Sequence, residues 1–126
     1  MFFQSKRPGG LGGIDIWRSQ RDDSHDDFNW QPAVNLGATV NSTADDNGPG
    51  YFEDVVRGTH QIYFGSSRSG GPGGNDIYVS EQMTDSSFGA ATLVTELNSS
   101  TNESDPTIRN DGLEILFHSK IGRAHV

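Results

Sequence analysis

Ser5 to Trp17 reads SKRPGGLGGIDIW, and Ser66 to Tyr78 reads SSRSGGPGGNDIY, sixty-one positions further on. In each copy a Phe (Phe3, Phe64) stands two residues ahead of the Ser, two Gly-Gly pairs are split by one residue, and Asp-Ile-aromatic follows. A third copy starts at Leu116-Phe117-His118-Ser119-Lys120 and breaks off. A unit this long repeated in a chain this short marks an array of like structural units. Ile62-Tyr63-Phe64 and Ile115-Leu116-Phe117 are short β-branched and aromatic runs and read as strands, as do Asp15–Ser19 and Asp76–Ser80. The loops between them are of hairpin length, and their glycines allow positive φ without a Cβ clash. Gly9, Gly10, Gly12, Gly13 and Asp15 form the first structural motif, and Gly70, Gly71, Gly73, Gly74 and Asp76 the second. Each Asp is expected to clamp its loop by accepting hydrogen bonds from the loop amides. In the two apolar triplets both alternating sets of side chains are apolar, which predicts a small antiparallel sheet covered on both faces.

The rest of the chain falls into the same frame. Phe2–Gln4 reads as part of a strand. An acidic loop, Asp22-Asp23-Ser24-His25-Asp26-Asp27, leads to residues 28–37, an extended segment with a Pro suited to a sheet edge. Its counterpart is 87–94. NSTADDNGP (41–49) and NSSTNESDP (98–106) read as polar connectors ending in Pro. Thr107–Arg109 is a short strand turned by Asn110-Asp111-Gly112 into Leu113–Phe117, Asp-Gly being a strong hairpin signal. The first unit is longer around Glu53–Gly58, an insertion expected in a loop. Each unit therefore holds about four short strands: residues 2–64 are the first, entered part-way, and 65–120 are the second with the start of a third.

Composition bounds what such an array does. The formal charge of −8 and pI near 4.7 leave no footprint for a nucleic-acid backbone. The apolar fraction of 32% with 16 glycines suits many short strands and turns. No apolar run approaches the roughly 20 residues of a membrane span, and with no cysteine there is no disulfide or thiol chemistry.

The order Pro, short strand, Asn-Asp-Gly, Leu-x-Ile-Leu-Phe, Ser-x-Arg, GGxGG loop and Asp-Ile-Tyr/Trp resembles the WD-repeat-like β-propeller repeat of the TolB type over roughly residues 2–120. The first unit departs from it at Val56–Thr59, where the Asp-Gly turn is lost. The resemblance implies an all-β chain of about two four-stranded propeller blades. It further implies a binding or scaffolding segment of a larger bacterial periplasmic or cell-envelope protein, completed by further blades of the same chain and engaging a protein or cell-wall partner. The last six residues, 121–126, resemble a translated sequencing adapter and are expected to be a non-native tail; the chain is then a fragment.

Sharper chemistry finds little footing. The glycine loops lack the Lys-Ser/Thr and the helix of a phosphate-binding loop. Asp15 and Asp76 fall one place late for a calcium β-roll nonapeptide. The DDSHDD cluster offers carboxylates suited to calcium but no EF-hand spacing, and reads as a solvated loop. His25, His60, His118 and His125 are scattered, without a zinc motif. Trp17, Trp30, Tyr63, Tyr78, Phe64 and Phe117 are expected as core between units rather than a sugar platform. Ser66, Ser67 and Ser119 sit in no nucleophile elbow. Arg7 and Arg68 occupy equivalent positions, which favours a structural duty. No catalytic residue, cofactor or metal ligand is expected. The competing readings are a segment of a propeller enzyme (glycosidase, sialidase-like or lyase) and a calcium-binding adhesin.

Overall fold

A computed structural model describes residues 1–120; the expected non-native tail, 121–126, lies outside the described residues. The chain is all-β, built of three antiparallel sheets. The first holds β1 (Phe2–Ser5), β2 (Asp15–Arg18) and β3 (Val34–Asn35) in that order. The central sheet holds β4 (Asp46–Asp54), β5 (Thr59–Ser66), β6 (Asp76–Gln82) and β7 (Thr92–Leu93). The third is the hairpin of β8 (Asn102–Ile108) and β9 (Ile115–Lys120), and a single 3-10 turn, Thr95–Leu97, precedes it. Sequence repeat and sheet run out of phase, because the unit boundary after Phe64 falls inside β5.

Registers repeat with the sequence. Phe3 faces Trp17 across β1 and β2, as Phe64 faces Tyr78 across β5 and β6. Trp17 pairs with Asn35, and Tyr78 with Leu93. The core lies where the first two sheets stack: Ile16 and Val40 on one side meet Ile62, Phe64, Tyr78 and Phe88 on the other, with Phe2 and Leu36 at the margin. Aromatic geometry adds specificity there, Phe2 stacking on Tyr51 at 4.9 Å and meeting Phe88 edge-on at 5.8 Å.

Five sequence expectations need correcting. The two stretches read as connectors are half strand: β4 starts at Asp46 and β8 at Asn102. Pro49 and Pro106 sit in β-bulges, between Asn47 and Gly50 and between Ser104 and Thr107, where a missing N–H breaks no ladder bond. Glu53 and Asp54, expected in a loop, extend β4; only Val55–Gly58 turn. Of the 28–37 segment only Val34–Asn35 pair, and Phe28 stands 95% exposed. The third unit's triplet is not covered on both faces: Leu116 is 65% and Phe117 36% exposed, while Phe64 at the equivalent place is fully buried. The hairpin over Asn110–Gly112 forms, with Gly112 at φ +73°, but β9 starts at Ile115 and Leu113 faces solvent.

Candidate functional site

Each glycine loop closes on its own aspartate. Asp15 Oδ1 accepts the Gly12 N–H at 3.1 Å and Oδ2 accepts that of Leu11. Asp76 accepts the Gly73 N–H on both oxygens, at 3.1 and 3.3 Å. Both aspartates are almost wholly buried, so each carboxylate trades its water for loop amides. The glycines are sterically required. Gly9 and Gly70 take φ of +95° and +108°, a region open to residues without a Cβ. A Cβ on Gly10 or Gly71 would strike the clamping carboxylate, and one on Gly12 or Gly73 would run into the carbonyl oxygen of Ala44 or Thr101. The loop therefore also seats against the segment that leads to the next sheet.

That segment carries polar residues the sequence reading passed over. Asn41 takes the Ile16 N–H at 2.7 Å and donates to the Ile16 carbonyl at 2.9 Å. Asn98 does the same for Ile77, at 2.7 and 3.0 Å. Each amide, buried at Asn41 and half-buried at Asn98, acts as one residue of an extra strand against β2 or β6: it satisfies the Ile16 or Ile77 N–H and shares the carbonyl with the N–H of Leu36 or Val94. Asp45 and Asn102 each accept the amide ahead of the clamp, from Ile14 and Asn75, both at 2.9 Å. The signal was present as the recurring Asn-Ser at 41–42 and 98–99; it was masked by reading polarity as solvent exposure.

Next comes a buried carboxylate in each unit. Asp46, fully buried, accepts Ser42 N–H at 2.6 Å, Ser42 Oγ, Ser66 Oγ at 2.6 Å and Arg68 Nη2 at 2.8 Å. Arg68 also donates Nε to Ser66 Oγ at 2.8 Å and Nη2 to the Val40 carbonyl, and its guanidinium lies over Phe64 and Tyr78 at 5.5 and 4.7 Å. One side chain thus ties two sheets together by a fork that lysine lacks. Glu103 takes Asp46's place in the next unit, receiving Ser99 N–H and Oγ, Thr101 Oγ1 and Ser119 Oγ. Burial pushes its carboxyl up, but the hydrogen bonds from Ser99, Thr101 and Ser119 outweigh that and hold it below the ordinary value. Asp76 moves the other way: burial raises it, the Gly73 amide opposes, and the charge of Glu103 adds to the rise.

Residues that could do chemistry are dispersed or already engaged. In the acidic loop Asp22 accepts from Gln31, Asp23 from the His25 amide, Asp26 from the Phe28 amide and Asp27 from Arg21. Among the described residues no group of three or more His, Asp or Glu side chains is placed to hold a metal ion. His60 Nδ1 meets Tyr51 Oη at 2.7 Å, while His25 and His118 are exposed. Trp17, Phe64 and Tyr78 are core, as expected. Trp30 is not: more than a third exposed, it lies under Arg21 at 4.7 Å and donates Nε1 to the Asp27 carbonyl. Open clefts of about 390 and 420 Å³ flank the tips of the β4–β5 and β8–β9 hairpins. In the first, Asp54 and Asp111 each accept amides of their own turn, and Asp111 also pairs with Arg109, so that cleft presents turn-clamping carboxylates rather than a nucleophile and its base; the carboxylate of the second is Glu53 on β4, beside Tyr51 and Asn110. Among the described residues no helix is long and apolar enough to cross a membrane. No protein-family model, no curated protein and no solved structure matches the chain.

Proposed function

We propose that the chain is a segment of a non-catalytic β-propeller scaffold in a larger bacterial periplasmic or cell-envelope protein, which presents its loops to a protein or cell-wall partner. One observation carries this reading: the polar side chains that recur between units make the same bonds in each unit, and those bonds are structural. Asp15 and Asp76 clamp loops, Asn41 and Asn98 cap sheet edges, and Asp46 and Glu103 gather serines. What differs between units is the β2–β3 loop, with Asp22, Asp23, Asp26 and Asp27, against the shorter β6–β7 loop. A constant frame with a variable, charged loop is how folds carry binding sites. The acidic loop favours a basic partner surface, because complementary charge steers encounter and suppresses wrong partners.

The test is retention of envelope proteins or cell-wall sacculi by the immobilised chain, with Asp22, Asp23, Asp26 and Asp27 intact or replaced by Asn. Retention by the intact chain that is lost in the Asn variant, and released by raised salt, supports the reading. Equal retention by both chains, or none by either, refutes it.

A further inference from the structure

We propose that Val55-Val56, at the tip of the β4–β5 hairpin, is the apolar anchor of the interface to which the acidic loop belongs, and that the two together take a protein surface whose aliphatic side chains are set among lysines or arginines. Such a surface extends the scaffold reading and rests on it, since the acidic loop is taken to face a basic partner.

The tip and the acidic loop share one end of the sheets. Phe2 pairs with Arg18, so β2 ends beside the start of β1 and the acidic loop leaves from there. Asp54 pairs with Thr59 and His60 with Gln82, which sets the β4–β5 turn and the β6–β7 loop at one end of the central sheet. Contacts align the two ends: Arg18 donates Nη1 to the Ser86 carbonyl at 3.0 Å, and Phe2 stacks on Tyr51. The glycine loops, alike in both units, occupy the opposite end, beyond the pairs Ser5–Asp15 and Ser66–Asp76.

The hairpin reaches further than its counterpart. In β8–β9 the ladder stops at Ile108–Ile115 and the chain turns through Asn110-Asp111-Gly112. In β4–β5 the matching pair is Tyr51–Ile62, and Phe52–Gln61, Glu53–His60 and Asp54–Thr59 carry the ladder past it. Its base is seated, with Phe52 buried and its ring against Gly112. The turn is fixed as well. Asp54 Oδ1 accepts the amides of Val56 and Arg57 at 3.1 and 3.0 Å, and the Asp54 carbonyl accepts that of Gly58 at 2.7 Å. The first sheet packs on one face of the central sheet and β8 on the other. Val55 and Val56 project past both, 78% and 92% exposed.

Valine favours strands, and Gly, Asn, Asp and Ser serve turns better. Two valines in a turn with no core to enter break the local rule without a return in stability, the pattern expected of residues kept for contact. Their stiff χ1 and the clamped turn lower the ordering cost of burial against a partner. Charge names that partner. Exposed Glu53 stands beside the tip, Asp85 on the β6–β7 loop, and Asp22, Asp23, Asp26 and Asp27 at the same end, while the tip's own cation, Arg57, lies 3.9 Å from Asp54. An apolar centre with an acidic rim complements aliphatic side chains among basic ones.

Three peptides serve as probes: one alternating Lys with Leu, one alternating Lys with Ser, and one alternating Glu with Leu. Calorimetry reads their affinity for the whole chain, and amide shifts of the isotope-labelled protein locate them. The Lys–Leu peptide is expected to bind at least about tenfold more tightly than either of the others and to shift the amides of residues 55–58. Val55→Ser with Val56→Ser, in a chain whose far-ultraviolet spectrum is unchanged, should bring its affinity down to that of the Lys–Ser peptide. Equal affinity for the Lys–Leu and Lys–Ser peptides, or Lys–Leu binding untouched by the serine substitutions, would overturn the anchor and leave the acidic loop's role standing. Equal affinity for the Glu–Leu peptide, no binding of either Lys peptide, or Lys–Leu binding unchanged when Asp22, Asp23, Asp26 and Asp27 are replaced by Asn would overturn both.

Discussion

Asp46 Oδ1 lies 2.8 Å from Arg68 Nη2, with the carboxylate wholly buried and the arginine side chain 19% exposed. The pair spans the start of β4 and the loop after β5, and the same guanidinium reaches the Val40 carbonyl in the segment joining the first two sheets. Removing one partner of such a pair strands the other, which is the costly event. Asp46→Asn is therefore expected to cost about 3 kcal/mol, the lower end of the usual range because Arg68 keeps some water. Arg68→Lys keeps the charge but loses the fork and the stacking, so it should recover less than half of the loss of Arg68→Ala. Urea unfolding of the variants measures both; a D46N midpoint equal to wild type would show the pair to be incidental.

Gly73 and Gly58 separate two reasons for glycine. A Cβ on Gly73 meets the Thr101 carbonyl, which is backbone and held. Gly58, at φ +67°, has open space around its Cβ position. Gly58→Ala should cost only the left-handed backbone penalty, roughly 1 kcal/mol. Gly73→Ala must also move the loop off the next segment and should cost at least about twice that. Comparing thermal midpoints of the two variants checks the ordering, and a reversed order would contradict the seating of the loop.

Glu103 and Asp76 give stability opposite pH dependences. Glu103 titrates below its ordinary 4.5 in the folded chain, so its contribution is complete above 4.5 and fades as pH falls through the lower folded value. Asp76 titrates above its ordinary 3.8, so the folded state favours its protonated form and that contribution fades as pH rises from 3.8 through the raised value. Glu103→Gln should lower stability at pH 7 by about 1–3 kcal/mol, the usual range for weakening hydrogen bonds to a buried charge. Below pH 4.5 the gap between variant and wild type should narrow as pH falls. Asp76→Asn should steepen the acid limb by removing the opposing slope. Urea midpoints between pH 7 and 3 provide the check, and a Glu103→Gln deficit that persists undiminished at pH 3 would exclude the linkage.

Legibility in the sequence followed side-chain pattern and failed where the backbone carries the structure. β2, β5 and β6 announce themselves through Ile, Tyr, Trp and Phe, and the clamps Asp15 and Asp76 through the glycines before them. β4 carries Gly-Pro-Gly within it and exposes Tyr51, so it has no hydrophobic alternation to detect. It is a strand because β5 pairs with it on both sides of a bulge. Asn41, Asp46 and Glu103 were hidden for a related reason: buried polar groups satisfied by other polar groups look, in sequence, like a solvated connector. Trp30 misled in the opposite sense, since an aromatic side chain stacked under Arg21 needs no core around it.

Phe64 and Phe117 test how far the environment, rather than the repeat, sets a residue's worth. They are the same residue at the same place in successive units, yet Phe64 is fully buried between sheets while Phe117 is 36% exposed on β9. Phe64→Ala empties a close-packed site and should cost about 3–5 kcal/mol. Phe117→Ala removes contacts already shared with water, and should cost no more than about 1 kcal/mol in dilute protein, in line with partial burial. Urea denaturation of both variants in dilute protein measures the two costs. Equal costs at low concentration would mean that β9 is packed as tightly as β5, and would contradict the exposure on which the contrast rests.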